Sequence, residues 1–462
     1  MSQSPEAPEP LTKYERSILI SGAIWFFLIL FAYYVLRPIR AQIGAIYGTE
    51  NLSGLLTATF LVMLVAVPAY SYFVGKYHRK FLVPIIYAVI VASLIGFCAG
   101  MIWAPTSSQI WIARAYYVWT SVFGLFAVSF FWSVAGDMLS TGQGRRVFGY
   151  IAGGGTTGGL LGSLSTWLLV DHLGVARLLL LPAILLTLSV GVYWWMESIY
   201  QKLGTHEQES SGKATGGNPF AGFTAVFKSR YLFAICIFGV LMATCGTSIY
   251  FQQAEIVKST YANTPFDDSG LDRDSLTEKE LKEKLEELQK EASKEASTKF
   301  FANVDFVVSF FTLVLQVFVV LWLMGRVGLG ASMAILPVAY VIGIAVLAVS
   351  PTIGVFAVIA VLVRSTEYGI CNPTREVLFT SVDREERYKA KSCIDTVVRR
   401  GGDASVGVVY SGLRHEDYLG LALHTISWIT MPFALIWVGL SFFIGSENKK
   451  VIEELNDKEA SE

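Results

Sequence analysis

Long apolar segments separated by short charged loops make up most of this chain. A helix needs roughly 20 apolar residues to cross the hydrocarbon layer of a membrane. The pattern predicts about twelve such helices, near residues 17–36, 52–75, 81–103, 110–139, 147–170, 174–196, 231–252, 300–324, 331–350, 353–380, 394–413 and 421–444. We therefore predict an all-α polytopic membrane protein.

The composition agrees with a membrane protein. Of the 462 residues, 53% are hydrophobic and 16% are charged, which is more apolar surface than a soluble core could bury. The formal net charge is -1 and no basic domain or tail stands out, so no nucleic-acid partner is predicted. The five cysteines lack CxxC or Cys/His spacing, so no disulfide framework, metal site or cofactor is predicted.

Basic residues in alternate loops set the predicted orientation, because cytoplasmic loops are rich in Lys and Arg. Residues 1–15 lack the features of a transit peptide or a cleaved signal, so the first span is expected to remain. The tails 1–16 and 446–462 are both predicted to be cytoplasmic. The loops that lie inside under this assignment hold Lys76, Arg79, Lys80, Arg145, Arg146, Lys202, Lys213, Lys228, Arg230, Arg326, Arg384, Arg387, Lys389 and Lys391.

The longest inside loop, residues 201–228, is rich in Gly, Ser and charge, which is typical of a linker. It would join two six-helix bundles, 17–200 and 229–445. An internal echo favours this division: Asp137 ends one long helix before Arg145 and Arg146, and Glu376 ends its counterpart before Arg384. Pseudo-symmetric bundles of this kind usually hold substrate at their interface and work by alternating access.

An insert at residues 262–299 interrupts the second half. The tetrapeptide from Ser275 to Glu278 fits a capping box, and Leu281, Leu285, Leu288 and Ala292 recur at helical spacing among Glu and Lys. The insert is predicted to be a solvated amphipathic helix outside the membrane. It is either a mobile decoration or a lid that binds a partner or gates transport, and we leave it out of the predicted transport site.

Charged side chains inside the predicted spans are the candidates for function, because they are costly at bilayer depth. Arg37 and Arg40 lie three residues apart in the first span, on one side of a helix if it continues past Pro38. Arginine suits bidentate recognition of phosphate or carboxylate. The alternative is a pair that extends to the outer lipid headgroups.

A second charged stretch covers residues 364–403. The spacing places Lys391, Asp395 and Arg399 on one helical face. The stretch either binds substrate or forms a salt-bridge network that locks one conformation. The predicted substrate-binding residues are Arg37, Arg40, Arg375, Glu376, Lys391, Asp395 and Arg399. The predicted gate residues are Asp137, Arg145, Arg146, Arg364, Glu367, Arg400 and Asp403. Of these, Asp137, Arg145 and Arg146 are expected to pair with the other half.

A stripe of glycines runs through the fifth span with repeated GxxxG spacing, which favours close helix packing. No GK[ST] sequence follows it, so it is not a phosphate-binding loop. We found no pairing of a nucleophile with a base and predict that the protein is not an enzyme. The stripe contains Gly149, Gly153, Gly154, Gly155, Gly158, Gly159 and Gly162.

Three strings resemble the ATP:ADP antiporter family of bacteria and plastids: FLILFAYYVLRPIRAQIG, FWSVAGDMLSTGQGRRVFGYIAGGG and REVLFTSVDREERYKAKSCIDTVVRRGGD. The resemblance implies a fold similar to the major facilitator superfamily and exchange of ATP for ADP, or of related nucleotides, without hydrolysis. It also implies nucleotide recognition by Arg37, Arg40, Arg375, Lys389 and Lys391. It further implies a bacterial inner membrane, with the protein expected to be a monomer in lipid.

An anionic substrate is also expected from the charges themselves, because converging Arg and Lys side chains repel unless an anion or carboxylates compensate. One alternative is a proton-coupled or uniport facilitator for another organic or phosphorylated anion, with Asp305, Glu367 or Asp395 as the titrating group. Another is a membrane scaffold whose insert helix binds a partner.

Overall fold

The computed structural model describes residues 11–46, 48–139, 141–203, 226–269, 271, 276–382, 390–391, 393–415 and 417–461. Within these residues the chain is helical, with turns and bends and without β-strands. Most of the predicted linker, residues 204–225, and the basic residues Arg384, Arg387 and Lys389 lie outside the described part.

Six long helices form what we call the N-terminal half. They are α1 (Lys13–Ile46), α2 (Gly48–Lys76), α3 (Arg79–Trp103), α4 (Thr106–Met138), α5 (Thr141–Arg177) and α6 (Leu180–Leu203). The C-terminal half contains α7 (Arg230–Tyr261), α8 (Glu278–Val314), α9 (Val320–Val349), α10 (Ile353–Thr366), α11 (Asn372–Leu378), α12 (Arg399–Arg414) and α13 (Leu423–Ser461).

Three π-helical segments interrupt the second half. Leu315–Val319 joins α8 to α9, Glu367–Cys371 joins α10 to α11, and Cys393–Val398 precedes α12. Each π-turn breaks the regular helical hydrogen bonding, and such bulges occur frequently at functional sites. The Gln316 amide donates to the Tyr368 backbone carbonyl at 3.2 Å and so ties the first two segments together.

The described residues contain ten helices that are long and apolar enough to cross a membrane, the longest being the run 278–349. That run leaves helical geometry at Gly328, where φ is 83° and ψ is 170°, so it supplies two crossings. The left-handed φ suits glycine because it has no Cβ. Residues 393–414 form a further helix that carries five charged side chains. The prediction of an all-α membrane protein with about twelve spans is therefore confirmed.

Buried apolar side chains form two clusters. The first is drawn almost entirely from the N-terminal half and includes Trp25 and Phe131, whose ring centroids are 5.1 Å apart. The second comes from the C-terminal half and includes Phe238 and Trp437, also 5.1 Å apart. Each half therefore has its own core.

The glycine stripe of α5 lies directly against the backbone of α1. A Cβ on Gly158 would lie 2.3 Å from the Phe27 carbonyl oxygen, and one on Gly162 would lie 2.5 Å from that of Phe31. These distances are too short for any side chain larger than hydrogen. The prediction that the stripe serves helix packing is confirmed.

The insert differs from its prediction in where its helix begins. Thr277 is the N-cap of α8, and its capping box is formed with Glu280: the Thr277 hydroxyl accepts from the Glu280 amide at 3.3 Å, and the Glu280 carboxylate accepts from the Thr277 amide at 2.9 Å. The predicted box from Ser275 to Glu278 was wrong by two residues, because the Ser/Thr-x-x-Glu pattern occurs twice in this stretch.

The insert helix is also continuous with the membrane-spanning part of α8, so it forms a rigid extension, here called the arm (residues 278–299). The Gln289 amide donates to the backbone carbonyls of Ala262 at 3.1 Å and Thr264 at 2.9 Å. Lys299 pairs with Asp171 of α5. The arm is therefore held against the ends of α5 and α7, which disfavours a mobile decoration.

Candidate functional site

Ten charged side chains of the spans make up what we call the central charged cluster. They come from α1, from α8 and from the stretch 364–403. Ion pairs and hydrogen bonds connect them to one another and to neighbouring tyrosines. The members are Arg37, Arg40, Asp305, Arg364, Glu367, Arg375, Asp395, Arg399, Arg400 and Asp403.

Arg37 reaches from α1 to the C-terminal half. Its Nη2 donates to the Tyr368 hydroxyl at 2.8 Å, and its Nε lies 3.8 Å from the Asp305 carboxylate. Its guanidinium carbon is 5.4 Å from the ring centroid of Tyr34. Asp305 is only 2% exposed and also pairs with Arg364. One buried carboxylate therefore serves two arginines, one from each half.

Arg40 lies one helical turn further along α1 and has a different environment. Its Nε donates to the Ser121 hydroxyl at 2.6 Å, and its guanidinium carbon lies 4.2 Å from the Tyr117 ring centroid. Among the described residues, no carboxylate oxygen lies within 4.0 Å of it. Both arginines of α1 thus contact protein groups, which favours a site over a pair extended to lipid headgroups.

The second predicted stretch forms a ladder of ion pairs between two helical segments of the C-terminal half. Lys391 pairs with Glu376 at 2.6 Å, Asp395 with Arg375 at 3.1 Å, and Arg399 with Glu367 at 2.8 Å. The common face of Lys391, Asp395 and Arg399 is therefore confirmed. Its charges are neutralised within the half, which matches the salt-bridge alternative.

The remaining described pairs of the stretch 364–403 lie within the C-terminal half. Arg400 pairs with Asp403 at 3.5 Å, and Asp403 accepts from the Thr247 hydroxyl at 3.1 Å. Arg364 pairs with Asp305, and Glu367 pairs with Arg399, so these two near neighbours in the sequence do not pair with each other.

The cluster carries a surplus of positive charge. Its six guanidinium groups face four carboxylates, which leaves two positive charges over. Three carboxylates are each paired to one arginine of the C-terminal half, and Asp305 is shared. The surplus therefore belongs to Arg37 and Arg40 on α1. A buried cationic surplus is stabilised by an anionic ligand.

The predicted gate at the other end of the spans is arranged differently from the expectation. Asp137 pairs with Arg79 at 3.7 Å, and Arg146 pairs with Glu15 at 3.5 Å, all within the N-terminal half. Both partners, Arg79 and Glu15, belong to the N-terminal half, whereas pairing with the other half was expected. The Arg145 side chain lies outside the described part.

Direct contacts between the halves lie toward one end, which we call the distal end and which holds residues 46, 106 and 261. Tyr117 and Tyr250 share a hydrogen bond of 2.9 Å there. A Cβ on Gly407 would lie 3.2 Å from Leu56. At the opposite, proximal end, the described ion pairs stay within one half. This conformation is therefore closed distally, and the distal end is the one predicted to be outside.

A cavity of about 490 Å³ lies at the distal end, between the arm and the N-terminal half. It is lined by mixed charges, including Asp171 and Arg177 of α5 and Lys290 and Glu291 of the arm. Burial lowers the pKa of Lys294 and raises the pKa of Glu295 at its rim, in the second case together with repulsion from Glu291 and Asp171. The central charged cluster does not line this cavity.

Sequence reasoning gave Asp305 little weight and missed Tyr368, Tyr117 and Ser121. Asp305 is a lone carboxylate in an apolar helix, a signal that was present in the sequence. The tyrosines and Ser121 carry no comparable signal, because such residues are common in membrane helices. Their roles follow only from their positions next to Arg37 and Arg40.

The fold is similar to those of several transporters of known structure. A POT family transporter solved with a thioalcohol-conjugated peptide is similar over 94% of this chain and 96% of its own, with a TM-score of 0.59 and 11% identity. A bacterial homologue of the iron transporter ferroportin, in an inward-facing state, gives a TM-score of 0.56 at 14% identity over 95% of this chain and all of its own. A point mutant of the nucleoside transporter NupG gives 0.53 at 15% identity over 94% of this chain and 100% of its own.

The sequence itself points to a more particular class. Residues 329–440 match the family described as TLC ATP/ADP transporter. The match covers the charged stretch 364–403. No curated protein sequence is significantly similar to the chain. The long apolar helices of the described residues support an integral membrane protein.

Proposed function

We propose that this protein exchanges nucleotides across a membrane, ATP for ADP or a related pair, by alternating access and without hydrolysis. The observation that carries the proposal is the positive surplus on Arg37 and Arg40, set between two helical bundles in a chain that matches an ATP/ADP transporter family. Nucleotide phosphates carry the charge needed to compensate it, and arginine binds them through paired hydrogen bonds.

In this proposal the two bundles, residues 17–200 and 229–445, rock about the substrate between them. Arg40 is the primary phosphate ligand because no carboxylate of the described chain competes for it. Arg37 joins it once its contact with Asp305 is broken. The ion pairs of the ladder stabilise the fold of the C-terminal bundle; they involve Arg375, Glu376, Lys391, Asp395 and Arg399.

The proposed setting is a bacterial inner membrane with both termini in the cytoplasm, so the conformation described here is inward-open. The substrate would enter from the proximal end, where Asp137 pairs with Arg79 and Lys391 with Glu376, each within one half. We also propose that one chain suffices for transport, since both bundles and the charged cluster belong to it.

Purified protein in liposomes tests the exchange directly. Liposomes preloaded with ADP should take up labelled ATP, and empty liposomes should take up far less. Equal uptake by both would exclude obligatory exchange. Uptake that follows an imposed pH gradient, with or without internal ADP, would favour the proton-coupled alternative.

A thermal-shift series with nucleotides and organic phosphates tests the substrate class. A ligand that binds only the folded protein raises its melting temperature by mass action. ATP and ADP are expected to shift the melting temperature more than AMP or inorganic phosphate. Absence of any shift with nucleotides, beside a shift with another phosphorylated compound, would reassign the substrate and leave the transporter architecture intact.

A further inference from the structure

The contact between Arg37 and Asp305 is an ion pair of the central charged cluster that joins the two halves. Arg37 belongs to α1, whereas Asp305 belongs to α8, and their Nε and carboxylate oxygen are 3.8 Å apart. The hydroxyl of Tyr368, also of the C-terminal half, accepts a second bond from Arg37 at 2.8 Å. Both groups therefore hold an α1 arginine across the interface.

The other three carboxylates of the central charged cluster pair with arginines of their own half. Glu367 pairs with Arg399, Asp395 with Arg375 and Asp403 with Arg400, all inside the C-terminal half. A rigid-body movement of one half against the other leaves those pairs intact. It breaks the contact of Arg37 with Asp305, while Asp305 keeps its partner Arg364.

Opening of the distal end therefore leaves the Arg37 guanidinium without its carboxylate partner. Arg37 sits nine residues before the end of α1, about 14 Å along the helix axis, and its side chain is 18% exposed. A largely buried charge that loses its only counterion is destabilising. An anion bound beside Arg37 removes this cost, because it pairs with the arginine before the halves separate.

We infer that Asp305 is the internal counterion that makes transport depend on exchange: it holds Arg37 in the empty carrier, and the phosphate of a bound nucleotide replaces it. This rests on the proposed function, since it assigns the coupling step of the same site. Asp305 is a positioning residue here, because it acts on the substrate through Arg37.

Asp305→Asn tests the inference, with uptake measured in ADP-loaded and in empty liposomes. The amide cannot form the ion pair, so Arg37 has already lost its counterion in the distally closed state and opening adds no further penalty. Uptake into empty liposomes, expressed as a fraction of uptake into loaded ones, is expected to rise about tenfold. A merely structural defect would lower both rates together and leave the fraction unchanged.

Glu255→Gln is the matched control. Glu255 pairs with Arg414 inside the C-terminal half, at 2.9 Å between Oε1 and Nε, so this substitution removes an ion pair between two residues of the same half. The ratio of the two uptake rates should stay at its wild-type value. Asp305→Glu, which retains the charge, should stay close to wild type as well.

Tyr368→Phe provides a second variant in case Asp305→Asn does not fold. It removes the hydroxyl that accepts from Arg37 and changes no charge, so a roughly two- to tenfold rise in the same ratio is expected. Strict exchange in every folded variant, beside a wild type that exchanges, overturns the inference alone. A wild type that transports no nucleotide in either liposome overturns the proposed function, and the inference with it.

Discussion

Replacement of Arg40 by alanine is the sharpest test of the proposed site. In the structure this guanidinium has a hydroxyl and an aromatic face as neighbours and no carboxylate partner among the described residues. Loss of this guanidinium therefore leaves no described carboxylate without its counterion, and the folded protein should remain stable. The substitution removes a ligand and little else, so a change in nucleotide affinity reports on binding.

The size of the effect follows from the hydrogen bonds that Arg40 would make to phosphate. A bond to a charged group contributes about 1.5 to 3 kcal/mol. This corresponds to a loss of affinity of roughly ten- to 150-fold. At a ligand concentration of 100 times the wild-type Kd, ligand stabilisation would fall from about 2.7 kcal/mol to about 1.4 kcal/mol for a tenfold loss.

Thermal shift with ATP and with ADP measures this loss, and binding calorimetry checks it. Arg114→Ala is the matched control: Arg114 also donates to a neutral side chain, Asn51 at 3.0 Å, and lies 4.8 Å from an aromatic ring, that of Trp111, but it sits near the distal rim. Arg40→Lys should have an intermediate effect, because lysine keeps the charge and loses the planar fork. Equal ligand shifts in wild type and Arg40→Ala would refute the assignment of Arg40 as a phosphate ligand.

Three further predictions concern the scaffold. Gly158→Ala should abolish or strongly reduce folded protein because a methyl group would overlap α1, whereas Gly153→Ala, with open space around it, should be tolerated; size-exclusion profiles compare the two. Thr277→Ala should cost about 0.5 to 2 kcal/mol at the start of the arm, seen as faster amide exchange in its first turn and unchanged exchange in the spans. At pH values above the pKa of the Glu295 carboxyl, Glu295→Gln should raise the melting temperature, because burial raises that pKa and disfavours the charged form in the folded protein. At pH values below the pKa it should leave the melting temperature unchanged, so a pH-independent effect would contradict this.

The local charge pattern singled out residues that the structure brings together in the central charged cluster. Arg37 and Arg40 were found because two arginines stand close together in an apolar helix, and the shared face of Lys391, Asp395 and Arg399 follows from helical spacing. Their partners were not predicted. Arg364 and Glu367 lie three residues apart in sequence, yet they pair with Asp305 and Arg399 instead, because the π-helical turn changes which side chains face a neighbouring helix.

The apolar periodicity and the distribution of charge determined, from the sequence alone, a helical membrane protein of about twelve spans with costly arginines at depth. Only the tertiary structure decided which of those arginines are already neutralised. Asp305 lies 268 residues from Arg37 in the chain, and their pairing depends on how α1 and α8 meet between two bundles. The spacing of residues in the sequence determines which side chains are neighbours on one helix. The net charge of a site also depends on the counterions that all the surrounding helices supply.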